Sequence, residues 1–324
     1  MRICIAGAGA IGCTLAARLA ASGQPVSMLA RGRTLQQLQH SGISLTDLDG
    51  RFRVSVSAAA DAAELGPQDL ILVCTKAPAL SDVLAQIQPM IHAETVVIPV
   101  VNGIPWWYFQ GIDSRFAGDR VTAVDPDGRL QALIPARHLI GCVIFITAAR
   151  EAPGVVTATN PHLMILGEIS HQLTPRLEEI RRIFHATGIE TRITDNIRDQ
   201  IWTKVAANLT SNPLSVVTRG TLEQLYADPR LSPLVRDILN EVLMTAAAHG
   251  ARIRFDPQTM MEMGAGMGAV RTSMLQDFEA GQPLELAAIG KAVTELAEKA
   301  GITMTTTRSL LALTEFIAEQ QRVA

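Results

Sequence analysis

Six residues, Gly7-Ala8-Gly9-Ala10-Ile11-Gly12, constrain this chain more than any other stretch. They follow a short apolar run, residues 2–6 (RICIA), and open a segment in which Ile11, Leu15, Arg18 and Leu19 recur at helical spacing up to Gly23. A strand, a glycine turn and a helix in that order begin a parallel strand–helix–strand unit. In such a unit Gly7 permits the tight turn, Gly9 lets backbone N–H groups approach a pyrophosphate, and Gly12 lets the helix pack close to the strand. The positive end of the helix dipole then faces the anion. All six residues are therefore candidate dinucleotide contacts. A second glycine-rich stretch, Gly264-Ala265-Gly266-Met267-Gly268, has no strand before it and carries no such reading.

Further strand patterns lie at 25–30 (PVSMLA), 69–75 (DLILVCT), 95–101 (TVVIPVV), 139–147 (LIGCVIFIT) and 162–168 (HLMILGE), with helical stretches after Pro78 and over 175–187. The alternation predicts an α/β, Rossmann-like, doubly wound sheet. The stretch 113–137, rich in Asp, Gly and Pro, reads as an irregular excursion or an extra hairpin. From Asp195 onward the chain turns to helix upon helix, at 195–212, 231–249, 257–263, 270–280, 284–300 and 305–320. The expected division is a dinucleotide-binding domain over 1–194 and an all-α domain over 195–324.

Composition excludes other classes. Hydrophobic residues make up 48% and charged residues 18%, which disfavours disorder and coiled coil. The net charge is −3, no Lys/Arg block occurs and aromatics are 4%, so no nucleic-acid partner is expected. The four cysteines, Cys4, Cys13, Cys74 and Cys142, show no CxxC spacing and read as reduced, buried thiols, with no metal site. The longest apolar run, about Leu139 to Ala149, is too short to span a bilayer, and the glycines near the start break up a secretory leader. A cytoplasmic protein without a membrane partner is the expectation.

The second strand pattern ends Leu29-Ala30-Arg31-Gly32-Arg33. An NAD site usually places a carboxylate there for the ribose 2′-OH. Arg31 would instead form charge-assisted hydrogen bonds to a 2′-phosphate, which favours NADPH/NADP+ over Arg31 being a solvated loop charge. Lys76 and Asn102 follow two further strands, where ligands of open parallel sheets bind. A surface lysine and a turn residue are their alternative readings.

In the helical half, IWTKVAANLTSNP (201–213) places Lys204, Asn208 and Asn212 four residues apart, hence on one stripe, beside an apolar stripe of Ile197, Ile201, Val205 and Leu209. Asparagine is a weak helix former, so two in a row of three suit a polar substrate better than a solubilising face. Pro213 is expected to end or kink this helix just after Asn212. Later, Ser273 stands in SMLQD, with Glu285 beyond Gly281. Taken locally, Ser273 reads equally as a helix-start residue and Glu285 as a first-turn dipole partner.

With these strings assembled, the chain resembles the ketopantoate reductases (2-dehydropantoate 2-reductases) over nearly its whole length. The resemblance rests on GAGAIG, Arg31, TKA at 75–77, VNG at 101–103, WTKVAANLTSNPLS at 202–215, and SMLQD at 273–277 with Glu285. It implies reduction of 2-dehydropantoate to pantoate, a step of pantothenate biosynthesis, with NADPH on the first domain and substrate in a cleft against the second. By the same resemblance, Lys204 matches the catalytic lysine and Asn208 and Asn212 match substrate-contacting asparagines. Ser273 matches the serine near the substrate carboxylate, and Glu285 the acid that contacts the substrate hydroxyl or assists the lysine. Lys76 and Asn102 match residues bridging cofactor and substrate. The best-known members carry a further substrate asparagine after the NPL segment, whereas this chain reads VVTRGTL there. The segment 105–137, including Trp106, Trp107, Tyr108 and Phe109, is longer than in compact members, and its aromatics read as core packing or as a wall of the cleft.

Such chemistry needs a hydride, a ketone carbon to receive it and a proton for the developing alkoxide. An ammonium at Lys204 supplies the proton as general acid. Other branched 2-keto acids, a 3-hydroxyacid or imine type of reaction, and a non-enzymatic NADPH-binding regulator are the alternatives. The expected partner is a small-molecule 2-keto acid, and a homodimer stands open as the assembly.

Overall fold

The structure, a computed structural model, describes residues 1–323. The chain divides into two compact units. One takes Met1–Val101, Phe109–Asp119 and Gly128–Ile197; the other takes Asn102–Tyr108, Arg120–Asp127 and the chain from Arg198 onward.

The first unit runs β1 (Ile3–Ala6), α1 (Ala10–Ala21), β2 (Val26–Leu29), α2 (Gly32–Ser41), β3 (Ile43–Asp47), β4 (Gly50–Val54), β5 (Ser57–Ala59), α3 (Ala62–Leu65), β6 (Leu70–Val73), α4 (Leu80–Gln86) and β7 (Val96–Pro99). It continues with α5 (Arg129–Leu133), β8 (Ile140–Phe145), β9 (Ala148–Ala152), β10 (Val155–Ala158), β11 (Leu163–Glu168), α6 (Pro175–His185) and β12 (Glu190–Ile193). Five strands form a parallel sheet in the order β5-β2-β1-β6-β7. Its central strands, ICIA and LILV, are buried at every position, which is why their apolar runs do not alternate. The Val97–Leu139 bridge is parallel and lies at the head of a three-stranded sheet, β12-β11-β8, in which β8 and β11 are antiparallel. This is the Rossmann-like architecture expected from the strand–helix alternation.

A further sheet, β4-β3-β10-β9, has no counterpart among the expected strands. Its strands lack a clean apolar signal: β9 (AAREA) is mostly exposed, and β4 (GRFRV) carries two arginines. The trace it leaves lies in α1, which packs against β1 and β2 on one side and β3, β4, β9 and β10 on the other. Gly12 to Leu19 are all buried, and a helix apolar all round is one covered all round. Arg18 is the exception within that helix. Its guanidinium donates to Asp47 (2.9 Å) and Asp49 (2.6 Å) and lies 4.7 Å from the centre of the Phe52 ring. The Asp47 side chain is wholly buried, so the β3–β4 hairpin is held to α1 by a desolvated ion pair. Nearby His162 is buried, and that burial, with Arg18 as the next cause, pushes its pKa below the usual value. Cys4, Cys13, Cys74 and Cys142 are free thiols, and burial pushes Cys4 and Cys13 up to about 11. No helix among the described residues is long and apolar enough to cross a membrane.

The second unit is helical: α7 (Ile197–Thr218), α8 (Leu222–Ala227), α9 (Ser232–Ala248), α10 (Pro257–Gly266), α11 (Ser273–Glu279), a π turn over Ala287–Lys291 that runs into α12 (Ala292–Lys299), and α13 (Thr305–Val323). Contrary to expectation, Pro213 does not end α7, which continues to Thr218. Proline removes one backbone donor, but every residue from Leu209 to Val216 is buried, so packing keeps the helix going. The Pro213 carbonyl accepts from Thr314 Oγ1 at 3.3 Å. The helix expected at 270–280 starts at Ser273, because Thr272 is its N-cap and accepts from the Leu275 N–H. Of the irregular stretch 113–137, only α5 and the first two residues of a 3₁₀ turn, Ala136–His138, are regular.

Two segments from the first half of the sequence are built into this helical unit by hydrogen bonds. Trp202 Nε1 donates to the Tyr108 hydroxyl (2.7 Å), and Arg198 Nε to the Tyr108 carbonyl (2.8 Å). The Thr122 and Ala123 N–H groups both donate to the Glu295 carboxylate (2.8 and 2.7 Å). Trp106, Trp107 and Tyr108 are all buried, which decides for core packing in their case.

Candidate active site

In the first unit, Gly7 has φ +115°, and its N–H donates to the Leu29 carbonyl at the end of β2. A Cβ there would lie 2.8 Å from the Cys74 carbonyl oxygen, and one on Gly12 would lie 2.0 Å from the Gly7 carbonyl oxygen. Both are closed to any side chain. At Gly9 the nearest heavy atom would be 4.0 Å away, which leaves the turn open to an approaching ligand. Gly9 is also the N-cap of α1; no side chain caps this end, and no acid stands in its first turn. Its N–H groups are thus left without a carboxylate from this helix's own first turn, which suits an anion there. Thr75 supports the same fit. Its hydroxyl is buried without a hydrogen-bond partner, and its methyl would lie 2.8 Å from a Cβ on Gly7. A buried orphan hydroxyl beside an open glycine turn suits a polar ligand there.

Arg31 is exposed at the N-cap of α2, whose first turn likewise holds no acid and no side-chain cap. One of its terminal nitrogens donates to Gln86 Oε1 at 2.6 Å. Lys76 is exposed just beyond β6 and precedes a short 3₁₀ turn, Ala77–Ala79. The residues Gly7 to Gly12, Arg31 and Lys76 therefore all stand at the C-terminal ends of β1, β2 and β6, three adjacent parallel strands. Gln86 was not among the expected site residues, whereas Thr75 was expected, with Lys76, at a strand end beside the cofactor. Gln86 has no local signal.

In the second unit, the two stripes of α7 separate at Lys204 and Asn208 but not at Asn212. Ile201, Val205 and Leu209 are buried, while Lys204 and Asn208 are half-buried. Asn212 is only 4% exposed, and its Oδ1 accepts from Ser211 Oγ at 3.3 Å. Asn102 and Glu285, 183 residues apart, meet: Asn102 Nδ2 donates to a Glu285 carboxylate oxygen at 3.3 Å. Ser273 is exposed at the first position of α11 and does not cap it, since Thr272 does. Ser273 and Glu285 line one depression together with Met274, Asp277 and Ile289.

The backbone beside Glu285 explains how Asn102 is held there. The Ala292 N–H reaches back five residues to Ala287, which widens the helix by one residue into a π turn. Within it, the Ala288 carbonyl accepts the Ile104 N–H at 2.9 Å. Gly103, with φ +85°, makes that approach feasible, since a Cβ on it would lie 2.4 Å from the Ala288 carbonyl. Thus Asn102 is anchored by its neighbours to the start of the helix that Glu285 immediately precedes. Among the described residues, no cluster of three or more His, Cys, Asp or Glu side chains is placed to hold a metal ion.

A Rossmann-like sheet with an open glycine turn, joined to a helical unit that carries a lysine, amides and a carboxylate, defines a dinucleotide-dependent oxidoreductase. The family model described as Ketopantoate reductase PanE/ApbA matches residues 3–171, and that of its C-terminal part matches 196–318. A 2-dehydropantoate 2-reductase of Mesorhizobium japonicum is 35% identical over 322 residues, covering 99% of each chain. A solved structure from Ralstonia solanacearum MolK2, assigned to the ketopantoate reductases, aligns at TM-score 0.94 and 38% identity over 98% of both chains. The 2-dehydropantoate 2-reductase of Geobacter metallireducens GS-15 aligns at 0.86 and 30% identity, over 97% of this chain and 99% of its own. The chain belongs to the ketopantoate reductase family, whose members are NAD(P)-dependent oxidoreductases.

Proposed function

We propose that this protein reduces 2-dehydropantoate to pantoate with NADPH, and that Lys204 is the general acid. The observation that carries this reading is the Asn102–Glu285 hydrogen bond, which brings together two residues nominated from distant parts of the chain. Ser273, which lies beside Glu285 at a shallow surface dent, is a third nominated residue in the same unit.

NADPH, when bound, supplies the hydride that converts the C2 ketone carbon to an alkoxide carbon. The chain's own residues do the rest. The Lys204 ammonium hydrogen-bonds the ketone oxygen, stabilises the charge that grows there and transfers a proton to it, leaving a hydroxyl and a neutral amine. The Ser273 hydroxyl and the Asn208 amide hold the substrate's carboxylate and polar edge, with Asn212 supporting that stripe from the buried side. Glu285, oriented by Asn102, accepts from the substrate hydroxyl. Gly7 to Gly12 would cradle the pyrophosphate and Arg31 would take the 2′-phosphate, while Lys76 and Asn102 are the polar groups assigned to cofactor and substrate.

NADPH oxidation across a panel of 2-keto acids that includes 2-dehydropantoate tests the assignment. The highest kcat/KM is expected for 2-dehydropantoate. A higher value for another branched 2-keto acid would move the substrate, and no oxidation with any of them would leave an NADPH-binding protein without this activity.

Two variants probe separate parts of the site. Arg31→Ala is expected to raise the KM for NADPH by about 10- to 100-fold, the scale of losing hydrogen bonds to a charged group, while NADH kinetics stay nearly constant. Equal use of both cofactors by the unaltered protein would defeat the 2′-phosphate assignment. Gly103→Ala is expected to lower kcat about tenfold or more, because the added Cβ collides with Ala288 and the positive φ is strained. Steady-state kinetics with 2-dehydropantoate check it, and an unchanged kcat would show that Asn102 does not depend on this backbone.

A further inference from the structure

Arg31 is an exposed residue with a long, flexible side chain, yet its guanidinium has a defined partner. It donates to Gln86 Oε1 at 2.6 Å. Gln86 closes α4 and is half-buried, and its Nε2 donates to the Ala60 carbonyl at 2.7 Å. That second bond decides which end of the amide faces the arginine, because a carbonyl accepts only from the NH2 group. Ala60 follows β5, which pairs with β2 in register Leu29–Ala59, and the Ala30 N–H donates to the Ala59 carbonyl at 3.0 Å. The relay from Arg31 through Gln86 to Ala60 therefore starts and ends on two neighbouring strand ends of one sheet edge.

We propose that Gln86 is a positioning residue that holds the Arg31 guanidinium for the adenosine 2′-phosphate, and so sets part of the preference for the phosphorylated dinucleotide. The inference rests on the NADPH reading above. Two physical points support it. Restraining the guanidinium before binding lowers the ordering cost that a free arginine would meet on capturing a phosphate. The partner is also a neutral amide, which takes one of the five guanidinium N–H donors and leaves the positive charge uncompensated for the ligand. A carboxylate at the same place would satisfy the arginine equally well and repel a dianion.

Calorimetric titration of the full chain with adenosine 2′,5′-bisphosphate and with adenosine 5′-monophosphate tests this without any turnover. The ratio of the two affinities reads the 2′-phosphate contribution. The unaltered protein is expected to favour the bisphosphate strongly, and Arg31→Ala to abolish most of that preference. Gln86→Glu is expected to cut the ratio about tenfold or more, and Gln86→Leu about threefold. A ratio within twofold of the unaltered protein in both Gln86 variants, with Arg31→Ala still collapsing it, would overturn the role of Gln86 and leave the NADPH reading standing. A ratio near one in the unaltered protein would overturn both. Equal weakening of both ligands by the Gln86 variants would mark a packing defect and likewise overturn the proposal.

Discussion

Replacing Lys204 by alanine is expected to lower turnover by about 10²- to 10⁴-fold while NADPH binds nearly as before. The range corresponds to roughly 3–5 kcal/mol of transition-state stabilisation, the contribution of one proton donor placed at a developing alkoxide. The reason for the separation lies in where the groups stand. The glycine turn, Arg31 and Lys76 belong to the first unit, whereas Lys204 is on α7 of the second. A loss confined to kcat, with the NADPH Kd from fluorescence titration within about twofold, identifies the general acid. Retention of most of the turnover would remove Lys204 from the mechanism. None of the seven histidines lies in the Lys204–Asn208–Asn212 stripe, so no neighbouring imidazole on that stripe can take over the role.

The second large effect is on stability and has nothing to do with the chemistry. Arg18→Ala is expected to destabilise the first unit by about 3–5 kcal/mol, because it strands the wholly buried Asp47 carboxylate without its cation. For a unit of this size that corresponds to a fall in its thermal midpoint of roughly 10 °C. The double variant Arg18→Met, Asp47→Leu is expected to recover most of the loss, since two apolar side chains need no partner in that interior. Differential scanning calorimetry checks both. An Arg18→Ala midpoint within a degree or two of the unaltered protein would show that Asp47 finds water or another donor there.

Much of the first unit was legible. The apolar runs of β1, β6 and β7 can be satisfied only by burial on both faces, and the glycine turn follows directly from them. The sheet β4-β3-β10-β9 was not, because β9 and β4 are short, mostly exposed and without an apolar run, and α1 packs beneath them. In the site, the polar stripe of α7 announced itself by a period of four. Pro213 misled, since local backbone chemistry argues for a break at a position where burial from Leu209 to Val216 prevails. The contact between Asn102 and Glu285, and that between Arg31 and Gln86, span 183 and 55 residues and have no periodicity to betray them.

The amino-acid order alone determined the fold class, the position of the nucleotide turn and the identity of the polar helix face, because each depends on neighbours within a few residues along the chain. The tertiary structure alone decided that Asn102–Tyr108 and Arg120–Asp127 join the helical unit. It also decided that a π turn offers its carbonyl to Ile104. The joining of those segments and the Ile104 bond rest on hydrogen bonds between groups remote in sequence, which exist only once packing has placed donor and acceptor within about 3 Å of each other.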